Sequence, residues 1–234
     1  MRTSARPVLV LDVLGTVVDQ AGSMTRAVSA RTGLSTPAAG DVVARWLAHV
    51  ATEERAVVEG RRAFAPSHEL DAEALRALAD QGRLAADDVA ALADTSARLA
   101  PWPDSVAGLD ALAEDVTVVG LSNASRRTLT GLAGHARLRW HQLLSAEEVG
   151  TYKPDPALYA LALRSVPVTA TPVVMAAAHA WDLRAAAQAG LRTAYVPRPG
   201  GDPPGPEDHV DLHVTDLAEL HARIRELARA GDDG

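Results

Sequence analysis

A short apolar segment near the N-terminus places the strongest limit on how this chain can fold. Residues 8–11 read Val-Leu-Val-Leu and are followed by Asp12, with Gly15 and Thr16 shortly afterwards. A compact aliphatic and β-branched run that ends near a glycine predicts a strand buried on both faces, as in a parallel sheet. Ligands of open α/β sheets bind beyond the carboxyl ends of the strands. We therefore expect Asp12 to lie at a functional edge of the sheet.

Length and composition narrow the classes of protein that this chain can belong to. Its 234 residues suffice for a core domain with a smaller companion, and 47% of them are hydrophobic. The net charge of −7 without a basic cluster argues against a nucleic-acid or anionic-membrane partner. The absence of cysteine excludes disulfides and thiolate chemistry. No stretch reaches the ~18 apolar residues of a membrane span, so we predict a cytoplasmic protein.

The periodicity after this strand predicts a helical block and then an alternation of helices and strands. Apolar residues recur every three or four positions in four segments, which predicts helices at 25–31, 41–58, 71–78 and 86–99. Further strands are predicted at 116–121, 172–177, 192–196 and 211–214. This order predicts an α/β fold, a doubly wound, Rossmann-like parallel sheet formed by residues 1–19 and 101–234. Residues 20–100 would form an inserted, all-helical cap domain.

Four loops at the predicted carboxyl edge carry polar residues that can perform chemistry. These residues are Asp12 and Thr16, Ser122 and Asn123, Lys153, and His179 and Asp182. A buried carboxylate costs several kcal/mol unless it is paired, so we expect the Lys153 ammonium to lie against Asp12. Lys153 precedes a proline, which favours extended backbone. The alternatives are that Asp12 caps a turn and that Lys153 is a solvated loop residue.

The ordered set resembles the haloacid dehalogenase superfamily, in which a nucleophilic Asp, a Ser or Thr, a Lys and an acidic residue follow in that order. The segments Leu-Ser-Asn-Ala-Ser at 121–125 and Val-Gly-Thr-Tyr-Lys-Pro-Asp-Pro at 149–156 resemble in particular the L-2-haloacid (type II) dehalogenases. The resemblance implies that Asp12 is a covalent nucleophile. It also implies that Lys153 keeps Asp12 ionised and that Asp182 helps to activate a hydrolytic water.

Leu14 is the position where the chain departs from the phosphatases of this superfamily. Those enzymes carry a second Asp two residues after the nucleophile, which protonates the leaving alcohol and helps to engage Mg²⁺. Leu14 can transfer no proton, whereas a halide leaves as a stable anion and needs none. The residue therefore favours carbon–halogen cleavage without a metal or other cofactor. The alternative is that Leu14 packs in the core of a phosphatase relative that has lost its activity.

Further residues are assigned to the substrate through the same resemblance. Ser122 and Asn123, with the N–H groups of the following helix, would hold the substrate carboxylate; a helix cap is their structural alternative. Arg45 would receive the departing halide, and Phe64, nineteen residues later, would line the apolar pocket. Arg61 and Arg62 are competing candidates for the halide. Tyr159 either lies near the substrate or packs on the core.

The segment Ala-Ala-Ala-His-Ala-Trp-Asp at 176–182 resembles the Ser-Ser-Asn-Ala-Trp-Asp of the type II dehalogenases. Trp181 and Asp182 match, so Trp181 is expected at the substrate. Ala177 replaces a serine, and His179 replaces an asparagine. An imidazole has an unperturbed pKa near neutrality, so His179 could polarise the hydrolytic water or hydrogen-bond the nucleophile. Some relatives with a histidine at this position act on small fluorinated acids, so the resemblance implies fluoroacetate as a candidate substrate.

Together these residues predict a hydrolytic dehalogenase. It would convert small 2-haloalkanoic acids, such as haloacetate or 2-chloropropionate, to 2-hydroxy acids and halide through an aspartyl ester. The partner is thus a small halogenated acid, and the family suggests a homodimer. Two alternatives remain open. One is a related hydrolase that opens a strained ring such as azetidine-2-carboxylate, and the other is a catalytically silent binding protein with the same fold.

Overall fold

The computed structural model describes residues 6–166 and 173–232. Its strands are β1 (Val8–Asp12), β2 (Thr117–Ser122), β3 (Gln142–Ser145), β4 (Val173–Ala177), β5 (Arg192–Tyr195) and β6 (Leu212–His213). Its α-helices are α1 (Gln20–Thr32), α2 (Thr36–Val58), α3 (Ser67–Asp80), α4 (Ala86–Leu92), α5 (Ser105–Asp115), α6 (Arg126–Ala136), α7 (Pro156–Arg164), α8 (Ala180–Gln188) and α9 (Leu217–Asp232). The predicted α/β class is confirmed.

The strands form one parallel sheet in the order β3-β2-β1-β4-β5-β6. The chain runs outward from β1 to β3 on one side and from β4 to β6 on the other. The order therefore reverses between β1 and β4, which is where doubly wound sheets bind their ligands. Asp12 is the last residue of β1 and lies in register with Leu121 of β2. The topology alone thus places its carboxylate at the switch point.

Strand β1 is buried on both faces, as its unbroken apolar sequence predicts. Leu9 and Leu11 pack into one hydrophobic cluster, and Val8 and Val10 pack into a second cluster on the opposite face. This alternation follows from the two-residue period of a strand. Helices on both faces cover a sheet of this kind.

Helices α1 to α4 lie between β1 and β2 in the sequence, where the helical block was predicted. The long helix α2 packs against α1 and α3, and its side chains Leu47 and Val50 reach the same cavity as Asp12. A separate cap bounded at residues 20 and 100 stays a prediction. Among the described helices, none has both the length and the apolar composition of a membrane span.

Two elements differ from the sequence-based prediction. Strand β3 was not predicted, because it is an edge strand in which only Leu144 and Ser145 are fully buried. The helix predicted at 86–99 ends at Leu92 and is followed by a 3₁₀ turn at Thr95–Ala97, since apolar spacing alone does not register such a break. The predicted strand at 172–177 begins at Val173, and its residue 172 lies outside the described residues.

Candidate active site

Three charged side chains meet at the switch point of the sheet. The Lys153 ammonium donates to Asp12 Oδ1 at 3.0 Å and to Asp182 Oδ2 at 2.7 Å. Lys153 is 5% exposed and Asp182 is fully buried. One cation is therefore shared by two carboxyl groups that arrive from different strand ends. The structure brings together the Asp–Lys–Asp set that the sequence singled out.

Thr16 connects the carboxylate of Asp12 to the neighbouring strand. Its hydroxyl donates to Asp12 Oδ2 at 2.6 Å and accepts from the backbone N–H of Ala178, just beyond β4, at 2.9 Å. The turn that makes this possible requires Gly15, which has a φ of +81°. A Cβ at Gly15 would also lie 2.9 Å from Cε1 of His179. Thr16 thus holds one oxygen of Asp12, while Lys153 holds the other.

The surroundings of Asp12 keep its carboxyl group ionised. Burial by itself would raise the pKa of Asp12, but the charge of Lys153 and the contacts from His179 and Thr16 together outweigh it. The net effect is a pKa well below the usual range of an aspartate. An ionised, desolvated carboxylate with fixed oxygens is what a covalent nucleophile requires.

Lys153 is the only lysine in the sequence, beside 22 arginines. Burial opposes its charge, yet the carboxylates of Asp12 and Asp182 raise the pKa of Lys153 above its usual value. Its backbone N–H donates to Asn123 Oδ1 at 2.8 Å. The side-chain amide of Asn123 therefore holds the main chain at Lys153, while the Lys153 side chain reaches Asp12 and Asp182.

Tyr159 contacts Asp182. As far as the described residues show, it does not line the cavity that contains Asp12. Its hydroxyl donates to Asp182 Oδ1 at 2.6 Å, and the ring is fully buried. This corrects the predicted substrate contact, since α7 turns Tyr159 toward the core where it can only position Asp182. Burial and the charge of Asp12 raise the pKa of Asp182, while Lys153 and Tyr159 donate to its two oxygens.

His179 lies beside Asp12. Its Nδ1 is 3.7 Å from Asp12 Oδ2, which is longer than a hydrogen bond but close enough for a strong electrostatic contact. Burial favours the neutral ring, yet the Asp12 carboxylate outweighs it and raises the pKa of His179 above its usual value. The protonated imidazole is thereby favoured next to Asp12.

The effect of Asp12 on the pKa of His179 can be tested by removing the charge of Asp12. In Asp12→Asn, burial still acts on His179 without its counter-charge, so we expect its pKa to fall. A pH titration of the imidazole signals by NMR measures this, with His179→Gln identifying the resonance. Because the folded pKa is raised, the contribution of His179 to stability is present below about pH 6.5 and is lost as the pH rises through the folded pKa. An unchanged titration in Asp12→Asn would contradict the assignment.

A cavity of about 240 Å³ opens onto Asp12 between the sheet edge and the inserted helices. Seven of the predicted site residues line it: Asp12, Leu14, Ser122, Asn123, Lys153, His179 and Trp181. Side chains of the helical block complete the wall, among them Leu47, Val50, Ala51, Glu54 and Asp71. A volume of this size suits a molecule of few heavy atoms, because drug-sized ligands occupy larger pockets.

Ser122 is the last residue of β2, Asn123 follows it, and both line this cavity. The Ser122 hydroxyl accepts from the N–H of Ala124 at 3.1 Å. The helix α6 is capped by Ser125, whose hydroxyl accepts from the N–H of Thr128. Capping therefore does not occupy Ser122 or Asn123. The Asn123 amide donates to Glu54 Oε2 at 2.8 Å, which ties the loop to the helical block.

Arg45 does not reach the cavity, so its predicted role as halide acceptor is wrong for this conformation. Positions 47, 50, 51 and 54 of α2 face the cavity, and at 100° per residue Arg45 points away from this face. It is exposed and borders a separate groove with His49 and Glu53. The apolar residues of α2 that pack against α1 and α3 determine this rotation of the helix.

The competing arginines do not line the cavity either, as far as the described residues show. Arg62 forms ion pairs with Glu53 at 2.5 Å and with Glu73 at 2.7 Å, and Arg61 pairs with Glu59. Phe64 also lies outside the lining: it packs on Tyr152 with ring centroids 5.1 Å apart. Tyr152 in turn donates to the carbonyl of Ala65, so this aromatic pair holds the loop between α2 and α3.

Glu54 and Asp71 were missed by the sequence analysis. Glu54 occupies the cavity-facing stripe of α2, where its neighbours Leu47, Val50 and Ala51 are apolar. A charged residue inside such an i, i+3, i+4, i+7 stripe is a detectable signal. The residues described contain no group of three His, Asp or Glu side chains arranged to hold a metal ion.

Comparison with known proteins places this site in a family. A model described as haloacid dehalogenase-like hydrolase matches residues 7–190. (S)-2-haloacid dehalogenase 1 of Pseudomonas sp. (strain CBS-3) is 31% identical over 137 residues, covering 56% of this chain and 60% of that protein. A phosphoserine phosphatase of Thermus thermophilus is 38% identical over 104 residues, covering 43% of this chain and 40% of that protein. Each alignment thus spans less than two thirds of the relative.

Solved structures extend the likeness over nearly the whole chain. A crystal structure of an L-2-haloacid dehalogenase has a TM-score of 0.84 and 32% identity, covering 95% of this chain and all of that one. A defluorinating L-2-haloacid dehalogenase has a TM-score of 0.82 and 30% identity, covering 94% and 95%. With the carboxylate–lysine–carboxylate centre at the end of β1, these matches establish that the chain belongs to the haloacid dehalogenase-like hydrolases.

Proposed function

We propose that the protein hydrolyses the carbon–halogen bond of small 2-haloalkanoic acids. The observation that carries this proposal is the Asp12 carboxylate, held ionised by Lys153 at the mouth of a small cavity with the apolar Leu14 beside it. The (S)-2-haloacid dehalogenases among its relatives support the same reaction class. Structures of L-2-haloacid dehalogenases share its fold at 30% identity or more.

In the first step, an oxygen of Asp12 attacks C2 of the substrate. A C–O bond forms, the C–halogen bond breaks with its electron pair, and the configuration at C2 inverts. Lys153 and Thr16 donate to the two oxygens of Asp12 and orient them for this attack. The leaving halide takes the electron pair as a stable anion, so no acid is needed at Leu14.

In the second step, water attacks the carbonyl carbon of the Asp12 ester. The acyl C–O bond to the substrate breaks, the 2-hydroxy acid leaves, and Asp12 regains its carboxylate with the release of one proton. Asp182 and His179 are the titratable groups near enough to take part in this proton transfer. Tyr159 positions Asp182 without touching the cavity lining.

No arginine lines the cavity in the described residues, so uncharged donors are needed beside Lys153 and His179 to hold the anionic ends of the substrate. Asn123 and Ser122 supply an amide and a hydroxyl at the end of β2, and Trp181 supplies an indole N–H. We propose that Ser122 and Asn123 hold the carboxylate. The halide would then leave toward Trp181 and His179.

Halide release tests the reaction directly. Chloroacetate, fluoroacetate and 2-chloropropionate are incubated with the protein after treatment with a chelator, and free halide is measured. We expect release from at least one of them, and in H₂¹⁸O under single-turnover conditions we expect the label in the peptide that contains Asp12. Label in the hydroxy acid alone would favour direct attack of water on C2.

The same assay separates the alternatives. Opening of azetidine-2-carboxylate without halide release from any haloacid would replace the dehalogenase by a ring-opening hydrolase. Binding of these acids without any turnover would favour a catalytically silent protein. Either result would remove the dehalogenase proposal.

A further inference from the structure

Glu54 is an acidic side chain in the wall of a cavity proposed to bind an anion. It lines the same cavity as Asp12, and its Oε2 accepts from the Asn123 amide at 2.8 Å. In the described part of the chain, Glu54 has no ion-pair partner within 4 Å. A carboxylate at this position repels a second carboxylate and attracts a cation. Glu54 thus bears on which substrates the cavity accepts.

A second acid reinforces this charge. Asp71 of α3 is buried, lines the cavity and accepts from the Trp46 indole at 2.7 Å. It too forms no ion pair among the described residues. The one ammonium in the lining, that of Lys153, is already shared by Asp12 and Asp182. The far wall of the cavity therefore holds two carboxyl groups that form no ion pair among the described residues. Burial raises the pKa of Asp71, which accepts hydrogen bonds from Trp46 and Ser96, so Glu54 is the acid that a bound cation would stabilise in its ionised form.

The ionisation of Glu54 can respond to such a cation. Burial raises the pKa of Glu54 to about 7, the nearby Asp71 contributes in the same direction, and the Asn123 amide and Lys153 oppose it. Near neutral pH the carboxyl group is therefore balanced between its two forms. A positive charge placed beside it favours the ionised form.

Trp181 adds an aromatic face to the same cavity. It is 38% exposed, which makes it the large hydrophobic side chain that the described residues leave open to solvent. The face of an aromatic ring attracts cations, so Trp181, which lines the same cavity as Glu54, suits an ammonium group. Two independent features of the wall thus suit the same chemical group.

We propose that the cavity selects 2-haloalkanoic acids that also carry an amino group, and that Glu54 binds the ammonium. This inference rests on the proposed function and specifies its substrate class. The carboxylate would lie at Ser122 and Asn123, C2 at Asp12, and the ammonium at Glu54. The volume of about 240 Å³ suits an acid of three or four carbons.

Binding of a matched pair of products tests this without relying on turnover. 3-Amino-2-hydroxypropanoate and 2-hydroxybutanoate differ by an ammonium in place of a methyl group. Titration calorimetry at pH 8, where Glu54 is mostly ionised, is expected to give at least tenfold tighter binding of the amino compound, which corresponds to about 1.4 kcal/mol. Equal affinity for the two compounds, or binding of neither, would overturn the proposal.

Variants test whether Glu54 causes the preference for the amino compound. Glu54→Gln should abolish it, and Glu54→Asp, which keeps the charge, should retain most of it. Glu69→Gln, the same change at an exposed position of α3, should leave it intact. A preference that survives in Glu54→Gln contradicts the role of Glu54, and thermal unfolding of each variant excludes a folding defect as the cause.

Chloride release from the corresponding substrates separates this proposal from the function on which it rests. 3-Amino-2-chloropropanoate is compared with 2-chlorobutanoate, and we expect at least a tenfold higher kcat/KM for the amino compound. Equal chloride release from both would keep the dehalogenase and remove the selectivity. Selective binding without chloride release from any haloacid would keep the selectivity and remove the dehalogenase.

Discussion

Asp12→Asn is expected to lower kcat for halide release by about 10⁴-fold or more, because removal of a covalent nucleophile abolishes the pathway that depends on it. Asparagine has nearly the same shape, and its carbonyl oxygen can still accept from Lys153, while its NH2 group replaces the oxygen that accepts from Thr16. The cavity and the fold should therefore persist. The loss would then be one of chemistry and not of binding.

The measurement is kcat and KM for the best haloacid of the panel, together with the thermal midpoint. Asp41→Asn is the matched control, since Asp41 is exposed at the start of α2 and its replacement should change neither. Retention of more than a few per cent of the activity in Asp12→Asn would assign the nucleophile to another residue. Slow conversion of the asparagine back to aspartate is checked by mass spectrometry of the peptide.

Lys153→Met is expected to cost about 3–5 kcal/mol of unfolding free energy, because it leaves two buried carboxylates without their cation. Without this cation, the ionisation of both Asp12 and Asp182 costs more free energy in the folded state. Since their pKa values rise above those of the unfolded chain, ionisation penalises the folded state. The destabilisation should therefore grow as the pH increases through these pKa values. Halide release should also disappear, because Asp12 loses both charge and orientation.

Chemical unfolding at several pH values measures this effect. Arg139→Met is the control, because it breaks the exposed ion pair between Arg139 and Glu114. Loss of this pair should lower the free energy of unfolding by less than about 1 kcal/mol. A loss of stability in Lys153→Met no larger than in this control would mean that the buried pairing does not stabilise the fold. A pH-independent loss would point to side-chain packing instead of charge.

The residues of the sheet edge could be anticipated because topology fixes their positions. Asp12, Ser122 and Asp182 each follow or adjoin the end of a parallel strand, and such ends meet at one edge whatever the details of packing. A buried acid then requires a cation, and the motif around Lys153 supplied one. The geometry follows from strand order and electrostatics, both of which are visible in a sequence.

The helical wall of the cavity could not be predicted in the same way. Whether Arg45 or Glu54 faces Asp12 depends on the rotation of α2, which is set by contacts with α1 and α3. A residue spacing taken from relatives does not determine this rotation. Phe64 and Tyr159 were likewise placed by tertiary packing, and strand β3 has too few buried apolar residues to give a periodic signal.

The sharing of Lys153 between two acids bears on how charge moves through the proposed reaction. When Asp12 becomes an ester it gives up its negative charge, and the departing halide carries an equal charge away. Lys153 is then matched by Asp182 alone, so the buried centre keeps an internal partner for its cation throughout. The second acid thus serves as a reserve counter-ion while Asp12 is esterified, and the negative charge of Asp12 returns when water hydrolyses the ester and one proton is released.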